Sequence, residues 1–215
     1  MTVQFSHKSQ METINTLDVG NPKVQQILAG ARAAFLDLGY EGASTDEIVR
    51  RAGVSKGTLY NYFPDKQTLF ATFIQGECRK QANLIFKVEG PPADIEATLR
   101  EIAQNFVKMI LSPFMQGIYR LAIAEAQRFP HLARIFYDSG PDLGTRRLTQ
   151  LLAGAVARGE LKIDDIELAA HQFDQLCKAD IFYKSLFQVK RSFTQAEIDR
   201  IANGAVDMFL RAYRP

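Results

Sequence analysis

Cysteine is scarce in this sequence. Only Cys78 and Cys177 occur, far apart and outside any CxxC pair. That spacing excludes a disulfide framework and fits a reducing cytoplasm, with both thiols as small core residues. Histidine is scarce too. His7, His131 and His171 show no metal-ligand spacing, so no zinc site is expected. No apolar run approaches the ~18–20 residues of a membrane-spanning helix. The stretch MTVQFSHKSQMETINTLDVG lacks an apolar h-region, so residues 1–20 are expected to be a polar, flexible tail and not a signal peptide. No segment alternates apolar and polar residues in the manner of a convincing strand. There is no nucleophile elbow, and GVSKGT has the wrong glycine–lysine spacing for a phosphate-binding loop. No catalytic residue, metal or cofactor is therefore expected. An excess of one charge is also missing: a net charge of +2 neither demands nor excludes a nucleic-acid partner.

What is present is helical periodicity in a chain of 215 residues, 47% hydrophobic and 23% charged. That is enough for a substantial core in two parts. The spacing predicts an all-α protein: an N-terminal three-helix domain over residues 21–66, then a larger helical domain over residues 67–215. Asn21-Pro22 reads as an N-cap and first helical position, followed by the stripe Ile27, Ala31, Phe35, Leu38 and a stop at Gly39. Ser44 and Glu47 read as a capping box, Gly53 as a stop, and Ser55 as the next cap. Pro64-Asp65 breaks the chain before a long helix to about Val88. Gly90-Pro91-Pro92 is the clearest internal break. Helices are then expected over 93–111 and 114–128, from Pro130, from Pro141 to about Arg158, and from Asp164 or Asp165 to about Phe187. A last one opens at Thr194 with a capping box to Glu197 and a Phe193–Ile198 staple.

Residues 44–63 fit a helix-turn-helix: a capped helix, the turn Gly53-Val54-Ser55, then a short second helix. Ile48, Ala52, Val54, Leu59 and Phe63 can pack inward. Lys56, Thr58, Tyr60, Asn61 and Tyr62 are left outward or at the rim. A face so rich in hydrogen-bonding groups suits a major groove, where it meets phosphates and base edges. Gly57 allows close approach to a phosphate. Thr45 starts the preceding helix, and Lys66 could anchor the strand beyond. Four bases (Arg50, Arg51, Lys56, Lys66) face three acids (Asp46, Glu47, Asp65), so local charge adds little. Arg50 and Arg51 stand equally as phosphate contacts or as solvated helix charges.

The order of residues carries more. STDEIVRRAGVSKGTLYNYFPDKQTLF resembles the signature of TetR-family transcriptional regulators, and ILAGARAAFLDLGYEGAS before it also matches in place. The resemblance covers about residues 23–74. Asn61 departs from it, since many members have histidine there. The resemblance implies that Thr45, Ser55, Lys56, Gly57, Thr58, Tyr60, Asn61, Tyr62 and Lys66 form the face toward double-stranded DNA. RLAIAEAQRFPHLARIFYDSGP is similar to the regulatory domain of the AcrR/AefR-like branch. That similarity implies a helical domain that dimerises through its last two long helices and holds an inducer.

Two apolar stripes in 165–187 and one in the final helix agree with a bundle between two chains, or with burial inside one. The stripes are Ile166, Ala170, Phe173, Cys177, Ile181; Leu176, Ala179, Tyr183, Leu186; and Ile198, Ile201, Ala202, Ala205, Val206, Phe209, Tyr213. Phe106, Met109, Tyr119, Glu125, Phe173, Cys177 and Tyr183 are candidates to surround a small apolar or amphipathic effector. Each alone is more often plain core. Glu125 among apolar neighbours needs a partner, and an ion pair with Arg128 or Arg120 is the expected one. The function expected is a homodimeric, ligand-responsive DNA-binding repressor in the cytoplasm. A helical-bundle enzyme and a protein-interaction module are the alternatives.

Overall fold

The computed structural model describes residue 18, residues 20–87 and residues 94–215. The expected tail, apart from residues 18 and 20, and the Gly90-Pro91-Pro92 break lie outside the described residues. Among the described residues the fold is all-α, with no strand. The helices are α1 Pro22–Gly42, α2 Thr45–Ala52, α3 Lys56–Tyr62, α4 Lys66–Ile85, α5 Ile95–Leu111, α6 Pro113–Glu125, α7 Pro130–Ser139, α8 Pro141–Ala157, α9 Ile166–Lys178, α10 Ile181–Leu186 and α11 Gln195–Tyr213.

The chain divides into two compact units. One joins the described residues up to Glu77 with Leu121–Phe136; the other joins Cys78–Arg120 with Tyr137–Pro215. In the first unit, α1 starts as its sequence demands: the Asn21 side chain accepts from Lys23 N at 2.8 Å and Pro22 follows. Gly39 has a positive φ (74) but an extended ψ (174), so it is not the expected left-handed stop: it kinks the helix, which resumes as far as Gly42. The kink turns Tyr40 inward, where its ring meets Phe70 and Phe129 at centroid distances of 5.2 and 5.0 Å. Phe35 stands edge-on to Phe70 at 5.1 Å. With Ile27, Ile48, Leu59, Phe63, Leu69 and Ile74 these rings make a dry core.

The second unit is built on α5, α8, α9 and α11. Leu99, Val107, Leu152, Phe173, Cys177, Val206 and Phe209 are among its buried residues. Thr194 and Glu197 form the expected reciprocal capping box, and Phe193 and Ile198 both pack on this core. Ile201, Ala202, Ala205, Val206 and Phe209 are buried inside the single chain. The stripes read as a possible dimer seam are therefore largely core.

The helix expected from 165 to 187 is broken. Asp180 has φ 63 and ψ −53, and Ile181 N donates to Ala179 O at 2.7 Å. This is a γ-turn of positive φ, a strained form. It re-aims the chain so that Ile181, Phe182, Ser185 and Leu186 are buried together. A straight helix would have pointed Ala179, Tyr183 and Leu186 one way; Ala179 and Tyr183 are exposed instead.

Candidate nucleic-acid interface

α2 and α3 are set by short-range chemistry. Ser44 Oγ accepts from Glu47 N at 3.2 Å, which caps α2. The reciprocal half of the expected box does not form. Ser44 N donates to Gly42 O, while the Glu47 carboxylate accepts from Arg50 Nε at 2.8 Å and Arg51 Nε at 2.6 Å. Charged donors one turn away outcompete a neutral amide. Those guanidinium hydrogen bonds hold the Glu47 carboxyl at about 2, well below its ordinary value. Arg51 also donates to Ala33 O at 2.8 Å and to Asp37 at 2.7 Å, so it ties α2 to α1. Arg50 projects outward.

The turn is equally determined. Gly53 is left-handed (φ 64, ψ 37), a conformation that costs glycine little, and Val54 N closes back onto Val49 O at 3.1 Å. Gln26 reaches from α1 to donate to Ala52 O at 2.7 Å. Helices α1 and α2 cross at Gly30: a Cβ there would lie 2.6 Å from Ala52. Only a residue without a side chain permits that crossing.

Ser55 caps α3, its hydroxyl accepting from Thr58 N at 3.1 Å and meeting Thr58 Oγ1 at 2.9 Å. Leu59 and Phe63 point into the core and are each 1% exposed. The other side of α3 is open. Lys56, Gly57, Tyr60 and Asn61 are exposed, and Thr58 and Tyr62 half-buried. Lys56 Nζ pairs with Asp46 at 2.6 Å, a contact that raises the lysine's pKa. Tyr60, 48% exposed, directs its hydroxyl toward Thr45 Oγ1 at 3.5 Å, so the start of α2 and the face of α3 form one surface. A Cβ on Gly57 would meet only Ser55 Oγ, at an ordinary 3.8 Å. The protein's own packing does not require a glycine there.

Lys66 is turned elsewhere. Its ammonium donates to Tyr40 O at 2.8 Å and Glu41 O at 3.3 Å, and stands 4.5 Å from the Tyr40 ring centroid. Burial lowers its pKa, opposed by the charge of Glu125. It closes the carbonyl end of α1. Glu125 forms neither expected ion pair. Its Oε1 accepts from Tyr40 N at 3.1 Å, just past the Gly39 kink, and Arg128 pairs with Glu41 instead.

The remaining effector candidates belong to the second unit. Phe106, Met109 and Tyr119 pack together around Ile110, Phe182 and Leu186. Phe173 and Cys177 are buried in the main core, Phe173 edge-on to Phe209 at 5.2 Å, and Tyr183 is exposed. Sequence reasoning missed Gln26 and Asp46 in the first unit and Gln116, Asp174, Lys178 and Phe182 in the second. The Asp174–Lys178 spacing of four was a legible signal. Among the described residues no group of His, Cys, Asp and Glu could hold a metal, and no helix is long and apolar enough to cross a membrane.

Comparison with known proteins agrees with this geometry. Residues 27–72 match the family described as bacterial regulatory proteins, tetR family, and residues 97–215 match the AefR-like transcriptional repressor, C-terminal domain. The crystal structure of a TetR-family transcriptional regulator from Mesorhizobium loti superposes with a TM-score of 0.81 at 28% identity, covering 90% of this chain and 97% of that one. The flavonoid-responsive regulator FrrA superposes with a TM-score of 0.78 at 34% identity, with the same 90% and 97% coverage. The HTH-type transcriptional repressor AcnR of Corynebacterium diphtheriae is 34% identical over 61 residues, 28% of this chain. That match spans only 32% of AcnR's length.

Proposed function

Because the chain belongs to the TetR family of bacterial regulatory proteins, we propose that it is a sequence-specific DNA-binding regulator: a ligand-responsive repressor that holds a palindromic operator as a homodimer. The observation that carries the reading is the two-sided α3. Leu59 and Phe63 fasten it to the core, while Lys56, Tyr60 and Asn61 stand in the open on the other side. A groove-binding helix needs this arrangement, because its base-reading side must stay reachable, and here it gives up only exposed contacts such as Lys56 with Asp46 when DNA arrives. Thr45, Ser55, Lys56, Gly57, Thr58, Tyr60, Asn61 and Tyr62 form the proposed contact surface. Lys66 acts as the brace that closes α1. Arg51 is a strut between α1 and α2, and Arg50, exposed but paired with Glu47, would have to share or leave that carboxylate to meet a phosphate.

Residues 21–66 are the DNA-binding part and residues 67–215 the regulatory and dimerising part. The two family matches, over residues 27–72 and 97–215, support a two-part division, with the first match running past residue 66. Support for a dimer comes from the outer sides of α9 and α11. Leu168 and Met208 are 51% and 63% exposed. Gly204, one turn before Met208, has nothing within 4 Å of its Cβ position, and this permits close helix approach. Two copies would set their α3 helices about 34–36 Å apart, one turn of B-form DNA, or a little more. A small effector that favours a different separation would release the operator by its differential affinity for the two shapes. A neighbour named for flavonoid responsiveness supports a small-molecule effector as a class. The family is one of regulators and not of enzymes, and a cytoplasmic site of action follows from its DNA target.

Selection of bound duplexes from a random pool tests the proposal. It should return a palindrome whose affinity falls about a thousandfold between ~50 and ~200 mM salt, as expected for about six neutralised phosphates. A pool that returns no common sequence, or a flat salt response, would remove the reading.

A further inference from the structure

The second unit keeps an ion pair and an amide inside an aromatic shell. Lys178 Nζ lies 2.5 Å from Asp174, with side chains only 14% and 21% exposed. The same ammonium stands 5.9 Å from the centroid of Phe106 and 5.7 Å from that of Phe182. Tyr119 meets Phe182 edge-on at 5.1 Å. Burial raises the Tyr119 phenol's pKa, and the neighbouring Asp174 carboxylate raises it further, so phenol and ion pair share one region.

Gln116 brings a second polar group to the same cluster. It is 3% exposed. Its amide nitrogen donates to Ile110 O at 2.6 Å, which fixes which end is oxygen, and Ile110 lies at the heart of the Phe106–Tyr119–Phe182 group. Its Oε1 finds no hydrogen-bond donor among the described residues. A buried acceptor without a donor is costly, and an ion pair that is mostly covered gives up part of its hydration. Neither is needed to fill a core that Leu, Ile and Phe already pack. Together they describe a small-molecule site: apolar walls with a few convergent polar groups.

We infer that Phe106, Tyr119 and Phe182 together form one aromatic wall against which a flat aromatic effector rests, its neutral hydroxyl donating to Gln116 Oε1 or Asp174 and accepting from Lys178. The ion pair decides the charge of the ligand. A carboxylate would gain Lys178 but meet Asp174, and an ammonium the reverse. A neutral hydroxyl uses both. The rings decide its shape, since stacked and edge-on contacts reward a planar ring. This inference rests on the reading of the chain as a ligand-responsive regulator and names the chemical class of its effector.

The test is calorimetric titration of the purified full chain with four probes of one size: para-phenylphenol, its methyl ether, para-phenylbenzoate and para-phenylbenzylammonium. The phenol should bind about tenfold tighter than the donorless ether and tighter than either ion, as expected where a buried acceptor is left unpaired. Gln116→Met keeps the bulk and removes the acceptor. It should weaken the phenol about three- to tenfold and leave the ether unchanged. Tighter binding of an ion, no binding of the phenol, or equal loss of phenol and ether in Gln116→Met overturns the inference. If that variant fails to fold, the ranking of the four probes on the native chain still decides. Operator binding on the same preparation separates two failures. An operator-binding chain that ignores the phenol loses only this site. A chain that binds the phenol but no DNA loses the regulator reading and keeps the site.

Discussion

The two units set their largest polar clusters on opposite sides of an apolar layer. In the first, the interior is mainly rings and aliphatics around Phe35, Tyr40 and Phe70, with only the small hydroxyls of Thr68 and Thr72 buried beside them among the described residues, and Lys56, Tyr60 and Asn61 stand outside on α3. In the second, Gln116, Asp174 and Lys178 sit among aromatic side chains within the fold. A rigid core with an open polar face suits a rod-like polyanion that must be met on a surface. An enclosed polar cluster suits a ligand small enough to be surrounded. The same residue types do different work according to which side of the apolar layer they occupy.

Breaking the dry core should have the largest effect. Phe35→Ala is expected to destabilise the chain by about 3–5 kcal/mol, read from urea unfolding, and operator binding should go with it. Gly30→Ala comes next. It forces a Cβ into Ala52 at the α1–α2 crossing and should cost about 1–3 kcal/mol. Met208→Glu places charges at the proposed seam and should shift sedimentation toward monomer, with a tenfold or larger loss of operator affinity. Gly57→Ala sharpens the contrast with Gly30. It should leave stability unchanged or raised by about 0.5–1 kcal/mol, since alanine is the better helix former, while DNA affinity falls. The smallest effect concerns pH. Glu47 has its pKa lowered from 4.5 to about 2 by Arg50 and Arg51, so the stability it contributes is present above about 4.5 and lost as pH falls toward 2. Unfolding midpoints followed across that window should fall less in Glu47→Gln than in the native chain.

Local chemistry was legible. The caps at Asn21, Ser55 and Thr194 and the glycine stop at Gly53 stand where short-range rules put them. The open face of α3 was legible for the same reason, because a seven-residue helix between a cap and a proline leaves little choice of what to bury. Competition and distance hid the rest. Glu47 had two arginines within a turn, and they displaced its expected backbone bond. Glu125 found the amide of Tyr40, 85 residues away, which no local pattern reports. Asp180 breaks α9 from α10 with neither glycine nor proline, driven by the burial of Phe182 and Leu186 beyond it. That unseen break also brings Phe182 to Lys178. The interior polar cluster was therefore harder to read than the exterior one.

The outer face of α3 is where the account is most exposed to refutation. Anisotropy titration of the selected operator against the Lys56→Ala/Tyr60→Phe double variant measures it directly, with sedimentation confirming an unchanged assembly. Loss of one charged contact and one hydroxyl contact per subunit predicts at least about a tenfold drop in affinity. Native affinity in that variant would mean that DNA, if bound at all, is held elsewhere.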